Sequence, residues 1–181
     1  MCKSMSQLQA FDEVQQQWHV IIETPKGSHN KYKYEESLGL FTLSGVLPEG
    51  MSFPYDFGYL PATLGEDGDP LDVLLLMDHP AFCGCVVPSR LVGVIQAEQR
   101  ERDGTVQRND RLVAIPIKCR VYSDCQDLRQ LNAHRLHEIQ EFFVSYNRVH
   151  EKEFKVLGVQ GSREAETLAQ KGLKRLAHEQ R

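Results

Sequence analysis

Three aspartates fall within six positions in EDGDPLDV, namely Asp67, Asp69 and Asp72, and an apolar run follows at once. Two like charges ~4 Å apart repel by roughly 4 kcal/mol at the effective dielectric near a protein surface, so a positive partner is expected beside them. Taken alone, such a triplet reads first as an ordinary acidic turn. Two details pull it toward a charged site: Pro70 fixes the backbone between the second and third aspartates, and Asp72 opens a run, Val73 to Met77, that reads as buried. A carboxylate anchored at that edge is poorly solvated unless it is paired or metal-bound. An EF-hand loop fits poorly, because position 5 counted from Asp67 is Leu71, where an oxygen ligand is needed. Oxygen ligands with no His or Cys nearby favour Mg2+ or Mn2+ over zinc.

The cations best placed to face these acids are Lys31, Lys33 and Arg111, provided the extended runs that carry them are neighbours in one barrel. Each alone reads as a solvated surface charge. Together with the aspartates they describe metal and basic groups that jointly hold a phosphate-rich anion.

These side chains need a scaffold, and the pattern of the chain predicts one rich in strands. Leu8, Phe11, Val14 or Gln15, and Trp18 fall near helical spacing, which predicts a short helix over residues 6–17 lying against the body. WHVIIETP reads as a strand stopped by Pro25. In NKYKYEESLGLFTL, strand alternation puts Lys31 and Lys33 on one face and Tyr32 and Tyr34 on the other, with a turn near Glu36 to Gly39. The Gly- and Pro-dense stretch from Gly45 to Pro70 suits turns and irregular extended chain. LDVLLLM, CVVPSRLVGVIQAEQ and DRLVAIPIKC read as three further strands, with RERDGTVQRN as the loop between the last two. Strands in such succession predict a small barrel or closed sheet. Helical spacing takes over in the last third: Leu128, Leu131, Leu136, Ile139, Phe142, Phe143 and Tyr146, with Asp124 or Asp127 as cap. A last helix capped by Ser162 carries Ala165, Leu168, Ala169, Leu173 and Leu176 on one stripe, and both helices are expected to pack the barrel.

A chain of 181 residues fits one domain with a sizeable core. With 21 basic against 25 acidic side chains and a net charge of -4, it lacks the basic surplus of a nucleic-acid binder. Five cysteines without paired CxxC spacing suggest neither a disulfide framework nor a zinc ribbon, and point to a reducing cytosol; Cys83 and Cys85 read as small buried apolar residues. The first residues carry no apolar h-region, and no stretch approaches the ~20 apolar residues of a membrane span. The expected location is cytoplasmic, with no membrane partner.

DGDPLDV fits the signature of the soluble inorganic pyrophosphatases of the first family: Asp, a small or polar residue, Asp, Pro or Glu, an apolar residue, Asp, an apolar residue. The resemblance continues through IIETPKGSHNKYKY, FPYDFGYLPAT, LVGVI, DRLVAIP and EFFVSY, covering roughly residues 18–160 of a single domain and leaving residues 1–17 as an extension. It implies a mainly β, α+β fold, a small OB-like β-barrel flanked by C-terminal helices, and a homo-oligomer, commonly a hexamer in bacterial members. It also implies a Mg2+-dependent hydrolase that splits pyrophosphate into two phosphates with a metal-activated water. By position, Asp67 and Asp72 resemble metal ligands, and Asp69 resembles the carboxylate that accepts a proton from the attacking water. Glu23 matches an acid that holds metal-bound waters, and Lys31 and Tyr146 match phosphate-binding positions.

Several positions depart from the family pattern. Lys33 stands where a glutamate is expected, Ser44 or Gly45 where a basic residue is, Phe57 where a tyrosine is, and Asn147 and Arg111 where lysines are. Two further metal aspartates align with Gln99 and Asn109, although Glu98, Asp103 and Asp110 lie close enough to substitute, and Asp110 is taken as the replacement ligand. Arg111 can still clamp phosphate in a different geometry. The leading expectation is therefore an active, divergent pyrophosphatase. The alternatives are a protein that binds metal and phosphate without useful turnover, and a hydrolase of another phosphoanhydride whose loosened clamp relaxes specificity.

Overall fold

The runs rich in Val, Ile and Leu become strands that wrap on themselves. The computed structural model describes Met5 and residues 8–179. In order along the chain these hold β1 (Phe11–Asp12), β2 (Gln17–Thr24), β3 (Asn30–Glu35), β4 (Leu40–Val46), β5 (Asp56–Tyr59), β6 (Asp72–Leu75), β7 (Val86–Arg100), β8 (Val106–Arg108), β9 (Arg111–Pro116), α1 (Ala133–Val149), β10 (Glu153–Gly161) and α2 (Ser162–Glu179). Strands β2, β5, β6, β9 and β7 pair in that order, and β7 pairs back onto β2, which closes a five-stranded ring. Every pairing in the ring is antiparallel except that of β6 with β9. Closure leaves no unpaired strand within the ring, while β1, β8 and β10 lie outside it.

The 15-residue β7 makes closure possible, because its first residues pair with β2, its middle with β9 and its last with β10. A register shift between Leu91 and Gly93 bends it on the way. On β6 and β9, Val73, Leu75, Leu112 and Ala114 enter one apolar cluster, to which α2 adds Ala165 and Ala169. Their neighbours Leu74, Leu76, Val113 and Ile115 enter another, to which α1 adds Ile139 and Phe143. A strand buried on both faces has no polar alternation, which is why LDVLLLM is continuously apolar.

Five local expectations are corrected. The helix expected over residues 6–17 is absent among the described residues of that stretch. Phe11 and Asp12 instead pair with Trp18 and Gln17, and the Phe11 and Trp18 rings lie 4.9 Å apart. The Asp12 carboxylate accepts from the backbone N–H groups of Val14 and Gln15 and shapes the turn, so tertiary pairing with Trp18 overrides helical spacing. Residues 6 and 7 lie outside the described residues. Asp127 caps only a 3-10 turn at Leu128–Gln130, and α1 begins after a second cap, Asn132, whose side chain accepts from the His134 N–H at 2.9 Å. The i, i+3 spacing of Leu128 and Leu131 suits that tighter turn as well as a helix.

Ser162 is the first residue of α2, reached directly from β10, and its N–H donates to Asp127 Oδ2. Strand β10 has no counterpart in the sequence pattern; its register shift near Gly158 disrupts the alternation that would mark it. Part of the loop expected between β7 and β9 forms β8, which pairs with the end of β7. Cys83 and Cys85 are half-buried rather than buried, and both are free thiols.

Candidate active site

The acidic loop is held from behind by α2. Thr63 Oγ1 donates to the Leu60 carbonyl and accepts from the Leu71 N–H, which cinches the ends of the loop. The Leu64 N–H donates to the Gly172 carbonyl, and Arg175 donates to Leu64 O and Glu66. A Cβ on Gly172 would lie 2.6 Å from a Leu71 methyl, so only glycine lets the helix come this close. Gly68 turns the chain at a φ of +85, which lets the Asp69 N–H reach the Asp67 carboxylate.

Strand register places the remaining groups. Parallel pairing of Val73 with Leu112 sets Asp72 and Arg111, the first residues of β6 and β9, side by side, and they form an ion pair. Between Ile22 and Thr24 the pairing of β2 with β5 slips by one residue, and Glu23 occupies that bulge. Its buried carboxylate accepts from the Tyr34 N–H at 3.0 Å. Lys31 and Lys33 extend from the separate β3–β4 hairpin, whose register shift between Lys31 and Tyr32 accompanies both lysines into the site. Lys31 Nζ lies 5.3 Å from the centre of the Tyr146 ring, and Tyr146 stacks on Phe142 one turn back along α1.

These groups line one open cavity of about 710 Å3 at the mouth of the barrel. One wall carries Glu23, Asp67, Asp69 and Asp72. Burial, with the charge of Asp72 adding to it, pushes Glu23 up to about 7 despite the Tyr34 hydrogen bond. Burial also raises Asp67, and the charges of Asp72 and Asp69 raise it further. Burial pulls the Lys33 ammonium down, but its 2.9 Å bond to Asp69 and the charges of Glu23 and Asp72 more than offset that and leave it above the ordinary lysine value. Asp69 and Asp72 thus each hold a cation, Lys33 and Arg111, while Glu23 and Asp67 form no ion pair among the described residues.

Beside the acids, and joined to Asp72 through Arg111, the cavity lining contains Arg111, Asn109, Gln99, Glu101 and Lys152 in a hydrogen-bonded chain. Arg111 donates to Asn109 Oδ1, and Asn109 Nδ2 donates to Gln99 Oε1 at 3.0 Å. Gln99 Nε2 then donates to Glu101 at 2.5 Å, and Glu101 also receives Lys152 Nζ at 2.7 Å. The Glu101 carboxyl is held below its ordinary value by its bonds to Lys152 and Gln99.

The structure therefore brings Glu23, Lys31, Lys33, Asp67, Asp69, Asp72, Arg111 and Tyr146 to one cavity. Asp110 is the exception. It lies between Asn109 and Arg111, ahead of β9, and does not line this cavity; its carboxylate accepts from the Ala97 N–H and from Arg108, and it lines a smaller neighbouring pocket with Asp67 and Asp72. Glu98, opposite Arg108 in the register, and Asp103, which folds back onto the Thr105 N–H, do not line the cavity either. Glu101, Arg102, His150 and Lys152 do, and sequence reasoning missed them. Period-two alternation from Gln99 to Glu101 was the available signal for the first of these.

A small closed barrel whose cavity sets clustered carboxylates beside fixed cations suits a multiply charged anion. The family model for inorganic pyrophosphatase matches residues 20–177. A protein of Synechocystis named inorganic pyrophosphatase is 39% identical over 140 residues, 77% of this chain and 80% of that one. A Nostoc protein of the same name is 36% identical over 86% of this chain and 89% of its own. The crystal structure of inorganic pyrophosphatase from Thermus thermophilus superposes with a TM-score of 0.87 at 31% identity, covering 97% of this chain and 99% of that one. This chain belongs to the inorganic pyrophosphatase family.

Proposed function

We propose that the chain hydrolyses inorganic pyrophosphate to two phosphates, using Mg2+ held on the acidic wall. The observation that carries this reading is the meeting of the DGDPLD acids with Lys31, Arg111 and Tyr146 on one cavity, in a chain whose relatives bear that enzyme's name.

The donor chemistry of the acidic wall fits a hard divalent cation. Glu23, Asp67 and Asp72 offer only oxygen, and Glu23 and Asp67 are raised by burial and neighbouring charge. Among the described residues no three His, Cys, Asp or Glu side chains stand gathered as a ready-made cage, and Asp72 already holds Arg111. Glu23, Asp67 and Asp72 are the groups that would hold the ion. When bound, it supplies Lewis acidity and lowers the pKa of water.

The chain's own residues do the rest. Lys31, Lys33, Arg111 and Tyr146 bind and orient the phosphate oxygens. Asp69, exposed on the loop and hydrogen-bonded to Lys33, takes a proton from the attacking water. The water oxygen forms a bond to one phosphorus, the bridging P–O bond breaks, and its electron pair leaves with the second phosphate. The enzyme works in the cytoplasm as a single-domain homo-oligomer, a hexamer by analogy with bacterial family members. No helix among the described residues is long and apolar enough to cross a membrane.

The test is phosphate release from pyrophosphate with and without Mg2+, beside Asp69→Ala and with a nucleoside triphosphate as competing substrate. Mg2+-dependent release lost in the variant is expected. No release from folded wild-type protein under any of these conditions would overturn the reading, and preference for the nucleotide would redirect it to another phosphoanhydride.

A further inference from the structure

Among the described residues, the wall that runs from Arg111 to Lys152 holds no free anionic oxygen, and Arg111 joins it to Asp72 of the acidic wall. Asn109 Oδ1 accepts from Arg111, Gln99 Oε1 accepts from Asn109, and both Glu101 oxygens are engaged, one by Gln99 and the other by Lys152. The orientation of both amides is dictated from the ends of the chain. The cationic donor at Arg111 requires an oxygen, and the carboxylate of Glu101 requires an NH2 group. Two buried neutral amides, locked in this way between a guanidinium and a carboxylate–ammonium pair, make a poor seat for a divalent ion.

Positive charge on this wall is instead built into the protein. The Arg111 guanidinium carbon lies 5.5 to 5.8 Å from the ring centres of Phe57, Phe143 and Phe154, so an aromatic box fixes it in place. Its Nε is buried and has no hydrogen-bond partner among the described residues, while the side chain is only 8% exposed. Asn147, also buried, donates to the Phe143 carbonyl at 2.9 Å and lies against the same box. Phe57 and Asn109 thus both meet the Arg111 guanidinium. At the rim, the Lys152 side chain is 34% exposed and lines the cavity.

We propose that the Gln99–Asn109 wall is a metal-free phosphate-binding wall, in which Arg111 and Lys152 supply the positive charge for one phosphate group of the substrate, while divalent metal is confined to the Glu23–Asp67–Asp72 wall. This rests on the pyrophosphatase reading for the substrate, but not for the charge arrangement. Arg111 holds its phosphate as a rigid, directional donor, and Lys152 shares its ammonium between Glu101 and the arriving anion.

Two measurements without turnover test it. Binding of inorganic phosphate in EDTA, followed by calorimetry, is expected for the wild-type protein and should weaken ~10-fold in Lys152→Ala through loss of one charge-assisted contact. Titration with Mn2+ followed by electron paramagnetic resonance should count at least one more bound ion in Asn109→Asp, or in Gln99→Glu should the first variant not fold, than in wild type. Absence of metal-independent phosphate binding by the wild type overturns the proposal without any variant. So does an unchanged Mn2+ count in a folded variant that has gained the carboxylate. Phosphate binding in EDTA without Mg2+-dependent pyrophosphate hydrolysis would sink the enzymatic reading and leave the wall standing.

Discussion

The two walls of the cavity solve the same problem, a concentration of charge at a barrel mouth, in opposite ways. On the acidic wall, Glu23 and Asp67 are raised by burial first and by their neighbours' charges second. On the adjoining wall every acceptor in the chain from Arg111 to Lys152 has its donor, and Glu101 is lowered by the partners it already has. Two sides of one site thus draw their positive charge from different sources. On the reading proposed above, the carboxylate cluster takes its positive charge from a metal ion, whereas the amide chain ended by Arg111 and Lys152 carries its own.

Removing the proton acceptor should have the largest effect. Asp69→Ala is expected to lower kcat by roughly 10^2- to 10^4-fold, with Mn2+ affinity little changed, because Asp69 is assigned to the water and not to the ion. Coincident loss of Mn2+ binding in calorimetry would move Asp69 into the metal set and enlarge the acidic wall.

The two glutamates should titrate in opposite directions in metal-free protein, as carboxyl carbon shifts in NMR would show. Glu23 rises from 4.5 unfolded to about 7 folded. Its stability contribution is therefore fully present below the unfolded value and is lost as pH rises through 7, a change of roughly 3 kcal/mol. Glu23→Gln should flatten the fall in urea stability over that window. Glu101 has the reverse sign: its lowered pKa gives stability that is present above the ordinary glutamate range and lost as pH falls through the folded value. Parallel titration of the two would erase the contrast between the walls.

Arg111→Lys keeps the charge but gives up the guanidinium held among Phe57, Phe143 and Phe154 and its bonds to Asp72 and Asn109. A fall of ~10-fold in kcat/KM is expected, carried mainly by KM for pyrophosphate. An unchanged constant would show that charge alone matters on that wall. The smallest effect belongs to Asp110→Asn. The Mn2+ count should stay the same, and stability should drop by about 1 kcal/mol for the weakened bonds to Arg108 and Ala97. A lost metal ion would restore Asp110 to the ligand set.

Much of the site is legible in the amino-acid sequence. The spacing of Asp67, Asp69 and Asp72 and the apolar run behind them mark the acidic loop, and the resemblance to pyrophosphatases adds Glu23 and Tyr146. Where the Asp110 carboxylate lies is not legible in RNDR, because its bonds to the Ala97 N–H and to Arg108 form only once β7 is in place. Lys152 and Glu101 escape notice for a related reason: each is an ordinary charged residue in its sequence context, and they meet only because β10 follows α1 back to the end of β7. The amino-terminal hairpin is hidden because its decisive contact, Phe11 on Trp18, competes with a helical spacing that fits the same residues.

Residue type and spacing along the chain are enough to specify the alternation of short strands and turns, the two apolar helices at the end, and the chemistry of the acidic loop. Local sterics and hydrophobic patterning turn these directly into structure. Which charges meet is settled at the tertiary level. The closure of β7 onto β2, the bulge at Glu23 and the parallel register of β6 with β9 bring Asp72 to Arg111 and leave Asp110 outside. Coulombic and hydrogen-bonding energies depend on separations of a few ångströms in space, and a linear chain does not carry those until its strands are paired.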